Sequence, residues 1–126
     1  MLLYVTFGTN DLKRATAFYT PTLATLGLVL VFQGETETGY APPGAEDPIL
    51  YVTAPFDGKE ATRGNGTMLA LTAACRDAVR AFHATALSSG GSDEGAPGLR
   101  YAENFFSCYV RDPDGNKLSA VCQRPE

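Results

Sequence analysis

The chain has 126 residues, of which 44% are hydrophobic and 19% are charged, a composition typical of one folded domain. A net charge of −4 and scattered Lys and Arg residues argue against a nucleic-acid-binding protein and against a polybasic membrane-surface segment. No apolar run approaches the length of about 20 residues that a membrane helix needs.

The N-terminal residues predict a β-strand. Leu3, Val5 and Phe7 alternate with Leu2, Tyr4 and Thr6, and side chains on a strand point alternately to opposite faces. One face is aliphatic and should pack on a helix, whereas the mixed face is typical of a lined cavity. The segment lacks a basic region and a long apolar stretch, so we predict no signal peptide.

An amphipathic helix follows the first strand. Its apolar residues keep the i, i+3, i+4, i+7 spacing of one helical face: Ala15, Phe18, Tyr19, Thr22, Leu23 and Leu26. Asn10 or Asp11 can cap its start, and Gly27 can end it. Pro21 lacks an N–H and clashes with the preceding turn, so it should kink the helix or restart it with Thr20 as a new cap.

Three strands, near residues 28–34, 38–41 and 49–53, complete the first half, and a second half then repeats the pattern. A shift of 64 residues superimposes similar residues, namely Tyr4 on Met68, Phe18 on Phe82, Leu23 on Leu87 and Gly27 on Gly91. We therefore predict one domain over 1–126, built from module one (about 1–62) and module two (about 64–126).

Module two contains the same predicted elements. A strand at 68–72 precedes a helix with apolar-face residues Val79, Phe82, His83, Ala86 and Leu87, and the strands near 98–101, 105–111 and 117–123 complete it. Residues 88–95 are rich in Ser and Gly and predict a flexible loop. Asp112-Pro113-Asp114-Gly115-Asn116 predicts a hairpin turn, and its glycine comes too early for a calcium-binding EF-hand loop.

The cysteines predict a reducing environment. Cys75, Cys108 and Cys122 form an odd, widely spaced set, which is typical of free thiols and not of a disulfide framework or a zinc site. We therefore expect a cytoplasmic protein. His83, the only histidine, lies where the second helix meets the sheet, and we interpret it as a partly buried structural residue.

Several strings resemble those of the vicinal-oxygen-chelate superfamily, which includes glyoxalase I, bleomycin-resistance proteins and extradiol dioxygenases. In the second half these are residues 64–67 (GNGT), 78–83 (AVRAFH), 95–100 (GAPGLR) and 112–116 (DPDGN); in the first half they are Thr6-Phe7-Gly8, Asp11-Leu12 and Phe18-Tyr19. The resemblance covers nearly the whole chain. It implies an α+β fold in which two tandem βαβββ modules form a cup-shaped mixed sheet with helices on the outside.

The resemblance also implies where a metal would bind. Metal-using members carry His on the first strand and Glu on the last strand of each module, facing the cup. In this chain the corresponding positions hold Tyr4, Tyr51, Met68 and Ser119. Two phenols, a thioether and an alcohol are poor ligands for Zn, Fe, Mn or Ni, which prefer imidazole nitrogen and carboxylate oxygen. We therefore predict no metal and no other cofactor.

The same positions predict a binding pocket for a small organic molecule. Its candidate residues are Tyr4, Thr6, Tyr51, Met68, Arg100 and Ser119. Phenols and a thioether suit an apolar or aromatic ligand, although they can equally fill the cup and leave no pocket. Arg100 can bind a carboxylate or phosphate, or can be a solvated loop residue. No catalytic residue is identifiable.

Three functions follow from these observations. The first is a metal-free binding protein, working as a homodimer. The second is a glyoxalase-type lyase or isomerase that uses displaced metal ligands, for which the available donors are His83, Glu60, Glu103 and Asp112. The third is a drug-sequestering protein of the bleomycin-resistance kind, which would bind a cationic drug in acidic grooves.

Overall fold

The computed structural model describes residues 1–126 and contains two helices and eight strands. In chain order they are β1 (Val5–Gly8), α1 (Leu12–Ala24), β2 (Val29–Gln33), β3 (Glu37–Ala41), β4 (Leu50–Thr53), β5 (Met68–Thr72), α2 (Arg76–Ser88), β6 (Ser92–Leu99), β7 (Phe106–Arg111) and β8 (Lys117–Cys122). Neither helix is long and apolar enough to cross a lipid bilayer.

The strands form two mixed sheets with the same topology. Their orders are β1-β4-β3-β2 and β5-β8-β7-β6. In each sheet the first and last strands of the module pair in parallel, and the remaining pairs are antiparallel. This confirms the prediction of an α+β fold made of two tandem βαβββ modules. The eight strands form two separate four-stranded sheets within the chain, however, and not one continuous cup.

The two helices pack against each other and join the modules into one hydrophobic core. Helix α1 contacts strands of the first sheet, α2 contacts strands of the second, and no strand of one sheet approaches a strand of the other. The core contains 19 buried residues drawn from both modules, including Phe18 and Leu23 of α1 and Val79 and Phe82 of α2. Each sheet therefore has one face covered by a helix and one face without such cover.

Helix α1 begins as predicted but differs at its proline. The Asp11 side chain caps it by accepting a hydrogen bond from the Arg14 N–H, and Gly27 follows its end with a φ of +79°. The helix runs without interruption through Pro21, so the predicted restart is wrong. Thr20 does not act as a cap, because its hydroxyl hydrogen-bonds to the phenol of Tyr40 instead.

Half of the segment that we predicted to be a flexible loop is strand. Strand β6 begins at Ser92 and pairs antiparallel with β7 through Leu99, with register shifts on either side of Gly95. Asp93 fixes its start on α2, because its carboxylate accepts a hydrogen bond from His83 Nε2 at 2.8 Å. An irregular edge strand therefore forms in a segment rich in Ser and Gly, because its contacts with β7 and α2 hold it in place.

The turn between β7 and β8 connects the two modules. The carboxylate of Asp112 accepts a hydrogen bond from the buried phenol of Tyr19, and the side-chain amide of Asn116 donates to the Gly8 carbonyl at 3.0 Å. The carboxylate of Asp114 accepts from the Thr9 hydroxyl and from Arg14. The predicted hairpin turn therefore also connects the two modules through polar side-chain hydrogen bonds.

Candidate functional site

Strand register shows which residues face away from the helices. Leu50 and Val52 of β4 are buried against the core, whereas Tyr51 and Thr53 between them are only partly buried. Residues directly opposite each other in neighbouring strands share a face. The open face of module one accordingly carries Tyr4, Thr6, Glu37, Tyr51 and Thr53, and that of module two carries Met68, Tyr109, Lys117 and Ser119.

Two phenols meet on the open face of module one. The rings of Tyr4 and Tyr51 lie edge to face with their centroids 5.2 Å apart, and Thr6 lies opposite Tyr51 in the parallel pair. Tyr4 is 52% exposed. Such an aromatic pair offers both apolar contact area and hydroxyl groups to a ligand.

A wide cavity of about 970 Å³ adjoins Tyr4, whereas Tyr51 does not line it. Tyr4, Thr6 and Thr53 line it from the sheet, and Phe56 lines it from the segment after β4. The lining also contains three carboxylates and no basic residue, the acids being Glu37, Asp57 and Glu60. This side of the molecule therefore attracts cationic groups.

The open face of module two centres on Tyr109. Its ring lies between two cations, with the Arg100 guanidinium carbon 5.1 Å and Lys117 Nζ 5.5 Å from the centroid. Ser119 lies opposite Tyr109 in the sheet, is fully buried, and its hydroxyl has no hydrogen-bond partner. Met68 is 43% exposed at the other edge of this face.

Arg100 is held by the backbone of its own hairpin. Its Nη2 donates to the Ala96 carbonyl at 2.6 Å, and its Nη1 donates to the carbonyls of Gly98 and Ser107. No carboxylate pairs with it. Arg100 is therefore neither a solvated loop residue nor fully available to an anion, because most of its donors stabilise β6 and β7.

The structure divides the six predicted pocket residues into two groups. Tyr4, Thr6 and Tyr51 lie on module one; Met68, Arg100 and Ser119 lie on module two. None of the four principal cavities is lined by members of both groups. Within one chain the predicted pocket is therefore divided between two separate faces.

The donors that could hold a metal are also dispersed. No group of three or more His, Cys, Asp or Glu residues has an arrangement that could bind a metal ion. Of the four displaced donors considered above, His83 pairs with Asp93, Asp112 is used by the turn, and Glu60 lines the module-one cavity. Glu103 is exposed in the β6–β7 connection. Tyr4, Tyr51, Met68 and Ser119 supply two phenols, a thioether and an alcohol, a donor set that lacks the imidazole nitrogen and carboxylate oxygen preferred by Zn, Fe, Mn or Ni.

Sequence reasoning missed several residues of the two faces. Lys117 precedes Ser119 by two positions, so strand alternation alone places both on one face. Tyr109 and Glu37 depend on antiparallel register, which the alternation of a single strand does not reveal. Asp57 and Glu60 lie in an irregular segment, for which the sequence offered no placement.

None of the three cysteine thiols is placed to act as a nucleophile on an open face. Burial raises the pKa of the Cys108 thiol to about 11, and a neutral thiol is a poor nucleophile. Cys122 is buried and Cys75 is exposed at the start of α2, and all three cysteines are free. None contributes a nucleophile to either open face.

Comparisons with known proteins show that many solved structures share this fold. The family model of the Glyoxalase/Bleomycin resistance protein/Dioxygenase superfamily matches residues 2–119. A glyoxalase/bleomycin resistance protein from Albidiferax ferrireducens is 36% identical, with 97% of each chain covered and a TM-score of 0.85. No curated protein matches the chain.

More distant structures share the fold alone. A glyoxalase-related enzyme from Fulvimarina pelagi is 20% identical, with 97% of this chain and 87% of that chain covered and a TM-score of 0.76. A lactoylglutathione lyase from Agrobacterium tumefaciens is 18% identical, with 97% of this chain and 92% of that chain covered and a TM-score of 0.65.

Proposed function

Because the chain belongs to the glyoxalase/bleomycin resistance protein/dioxygenase superfamily and lacks usable donors at the positions of that family's metal ligands, we propose that it is a metal-independent binding protein for a small organic molecule. The observation that supports the proposal is that Tyr4, Tyr51, Met68 and Ser119, which the resemblance places where metal-using members carry His and Glu, offer two phenols, a thioether and an alcohol. Function lies in the site and not in the fold, so family membership alone supplies no activity.

The exposed phenol pair supports a role in binding. Tyr4 lines a cavity large enough for a small organic molecule, and its ring packs edge to face on that of Tyr51. The ring of Tyr4 is accessible to a ligand, since the residue is 52% exposed. We therefore expect the ligand to place an apolar or aromatic part against these rings.

The working unit in this proposal is a homodimer. Each chain leaves two faces open, one acidic around Glu37 and Glu60 and one basic around Arg100 and Lys117. Exposed apolar residues, including Met68 and Phe32, border them. A second copy that sets its module two against module one would pair opposite charges and reunite the six predicted pocket residues in one cup.

Metal analysis tests the metal-independent part of the proposal. Purified protein should contain no stoichiometric Zn, Ni, Mn or Fe, and adding each ion should leave the thermal midpoint unchanged because no donor set stabilises it. Elemental analysis and thermal-shift titration would measure this. A stoichiometric ion that is lost in the Tyr4→Phe or Ser119→Ala variant would contradict the proposal.

Ligand screening tests the binding part. We expect neutral or charged aromatic molecules to raise the thermal midpoint of the wild-type protein, and Tyr51→Ala to abolish that rise because the ring pair is lost. Leu87→Ala, which truncates an exposed side chain on α2, is the control and should respond like wild type. Equal ligand responses in both variants would place binding elsewhere.

The acidic lining of the module-one cavity favours a second candidate, sequestration of a cationic molecule. Glu37, Asp57 and Glu60 line the cavity without a compensating cation. If this candidate is correct, aromatic amines will bind more tightly than matched aromatic carboxylates. A Glu37→Gln/Glu60→Gln variant should then lose that preference in isothermal titration, whereas a preference for carboxylates would exclude the candidate.

The lyase alternative has no comparable support. Its displaced donors are dispersed over the molecule or already hydrogen-bonded. An assay of methylglyoxal with glutathione, run with and without added divalent ions, should show no turnover. Turnover that a chelator abolishes would restore this alternative.

A further inference from the structure

A small polar pocket lies at the junction of the two modules, separate from the phenol pair. Its volume is about 180 Å³, which is enough for a phosphate or carboxylate group. Thr6 and Gly8 line it from module one, Thr67 and Lys117 line it from module two, and Thr62, Gly64 and Asn116 complete its polar wall. Phe7 is its only large apolar neighbour.

We propose that this junction pocket binds the oxyanion of a small ligand, a phosphate or carboxylate group, with the Lys117 ammonium as its counter-charge. The pocket is formed within one chain, although Thr6 also lines the module-one cavity and Lys117 also belongs to the basic face of module two.

The charges around the pocket favour an anion. No carboxylate lines it, and Lys117 does. Lys117 makes no ion pair; its Nζ lies 5.5 Å from the centroid of the Tyr109 ring, and its charge helps to lower the pKa of Glu94, so an anion in the pocket would have to draw the flexible side chain toward it. The two acids of the neighbouring turn are already neutralised: Asp112 accepts from Tyr19 and Asn116, and Asp114 pairs with Arg14 at 2.9 Å. An ammonium that makes no ion pair is available to an incoming anion.

The hydroxyl groups supply donors for the remaining oxygens. Thr6, Thr62 and Thr67 all line the pocket, and none of their hydroxyls is used in a hydrogen bond within the protein. Gly64 allows Thr67 to come close, because a Cβ at Gly64 would lie 2.4 Å from Thr67 Oγ1. Three hydroxyl donors and one ammonium match the acceptor-only chemistry of an oxyanion.

Titration calorimetry with inorganic phosphate, acetate and phenyl phosphate tests the proposal. We expect at least one of these anions to bind wild-type protein, and Lys117→Met to weaken that binding about tenfold or more because a charge-assisted hydrogen bond is lost. Thr67→Val should weaken it less, and Thr67→Ser should retain it. The three probes distinguish free phosphate, a simple carboxylate and an organic phosphate.

Lys13→Met is the matched control, because Lys13 lies exposed on α1 away from the pocket and its loss makes the same change in net charge. Three results would overturn the proposal: anion binding that is unchanged in Lys117→Met, an equal loss of anion binding in Lys13→Met, or no anion binding to the wild-type protein. Amide chemical-shift mapping on wild-type protein keeps the test valid if a variant misfolds: shifts centred on Thr6, Thr67 and Asn116 support the pocket, and shifts centred elsewhere refute it.

Discussion

At the scale of single residues, the carboxylate of Asp114 makes the densest set of contacts between the modules. Its side chain is 2% exposed. It accepts hydrogen bonds from the Thr9 hydroxyl, the Asn10 N–H at 3.0 Å and Arg14 Nη2 at 2.9 Å. Thr9 and Asn10 belong to the connection between β1 and α1, and Arg14 lies in the first turn of α1, so one side chain of module two contacts the start of a helix in module one.

Replacing this carboxylate should weaken the whole fold. We expect Asp114→Asn to lower the free energy of unfolding by about 2 kcal/mol, because charge-assisted bonds are lost and an amide group must be buried. Urea denaturation would measure the change. Asp77→Asn is the control, since Asp77 also pairs with an arginine but is 89% exposed, and its loss should cost less than about 0.5 kcal/mol. Equal effects would show that the inter-module contact is not stabilising.

At the scale of elements, the two helices show how closely the modules repeat each other. Both have 13 residues, and their first residues, Leu12 and Arg76, are separated by the same 64 positions that align the sequences. Their sequences differ most clearly at Pro21, which α2 lacks. Pro21 is exposed within α1, so its ring contributes little to the core.

Restoring the missing backbone donor should therefore stabilise α1. We expect Pro21→Ala to raise the free energy of unfolding by about 1–2 kcal/mol, because an interior proline costs a helix about 3 kcal/mol and its rigidity in the unfolded chain offsets part of that. Pro43→Ala, in an exposed connection, is the control and should not stabilise. A loss of stability in Pro21→Ala would indicate that the proline gives α1 a curvature that packing on the sheet requires.

Strand β6 depends on a charged contact with α2, which makes its stability sensitive to pH. The hydrogen bond from His83, followed by that from the Gly95 N–H, lowers the pKa of Asp93 in the folded protein. A carboxyl whose folded pKa is depressed adds stability above its unfolded pKa of about 3.9 and loses it as the pH falls through the folded value.

Asp93→Asn should remove this pH dependence. We expect the variant to be less stable than wild type near neutral pH and the difference to shrink as the pH falls below about 4, because the wild-type carboxyl then becomes protonated. Urea midpoints measured over that range would test it. Asp47→Asn, on an exposed connection, should follow wild type throughout, and a difference for Asp93→Asn that grows on acidification would contradict the argument.

The elements also show which features of the fold could be predicted from the sequence. Both helices followed from local periodicity, because α1 and α2 each present a continuous apolar face, and the second set of elements followed from the internal repeat. The order of the strands within each sheet was not predicted. The extent of β6 could not be predicted: a strand was expected only near 98–101, whereas β6 begins at Ser92. The residues before 98 have low strand propensity and are ordered by pairing with β7 and by the contact between Asp93 and His83.

The candidate site was predictable only within each strand. Alternation placed Tyr51 and Ser119 on the faces opposite Leu50 and Leu118, and the burial of the two leucines agrees. The separation of these two faces within one chain could not be predicted, since it depends on how α1 and α2 pack. The full burial of Ser119 likewise depends on its neighbours across the sheet.

At the scale of the whole molecule, the two open faces have opposite electrostatic character. The module-one cavity is lined by three carboxylates, whereas Arg100 and Lys117 on module two have no ion-pair partner. Both faces also expose large apolar side chains, among them Tyr4 and Met68. Apolar contact would supply affinity for a second copy, and the charges would set its orientation.

A homodimer held in this way should weaken as salt is added. Sedimentation equilibrium should show a dissociation constant that rises between low salt and about 1 M NaCl, because the Debye length falls to about 3 Å and screens the facing charges. Glu37→Lys should weaken the dimer at low salt and make it less sensitive to ionic strength, since a like charge then faces the basic surface. Lys59→Glu, a charge change on an exposed residue that does not line the cavity, provides the control. If salt strengthens the dimer and Glu37→Lys behaves like wild type, apolar contact alone holds the two copies together. If the chain is monomeric at every concentration, the homodimer proposal is wrong.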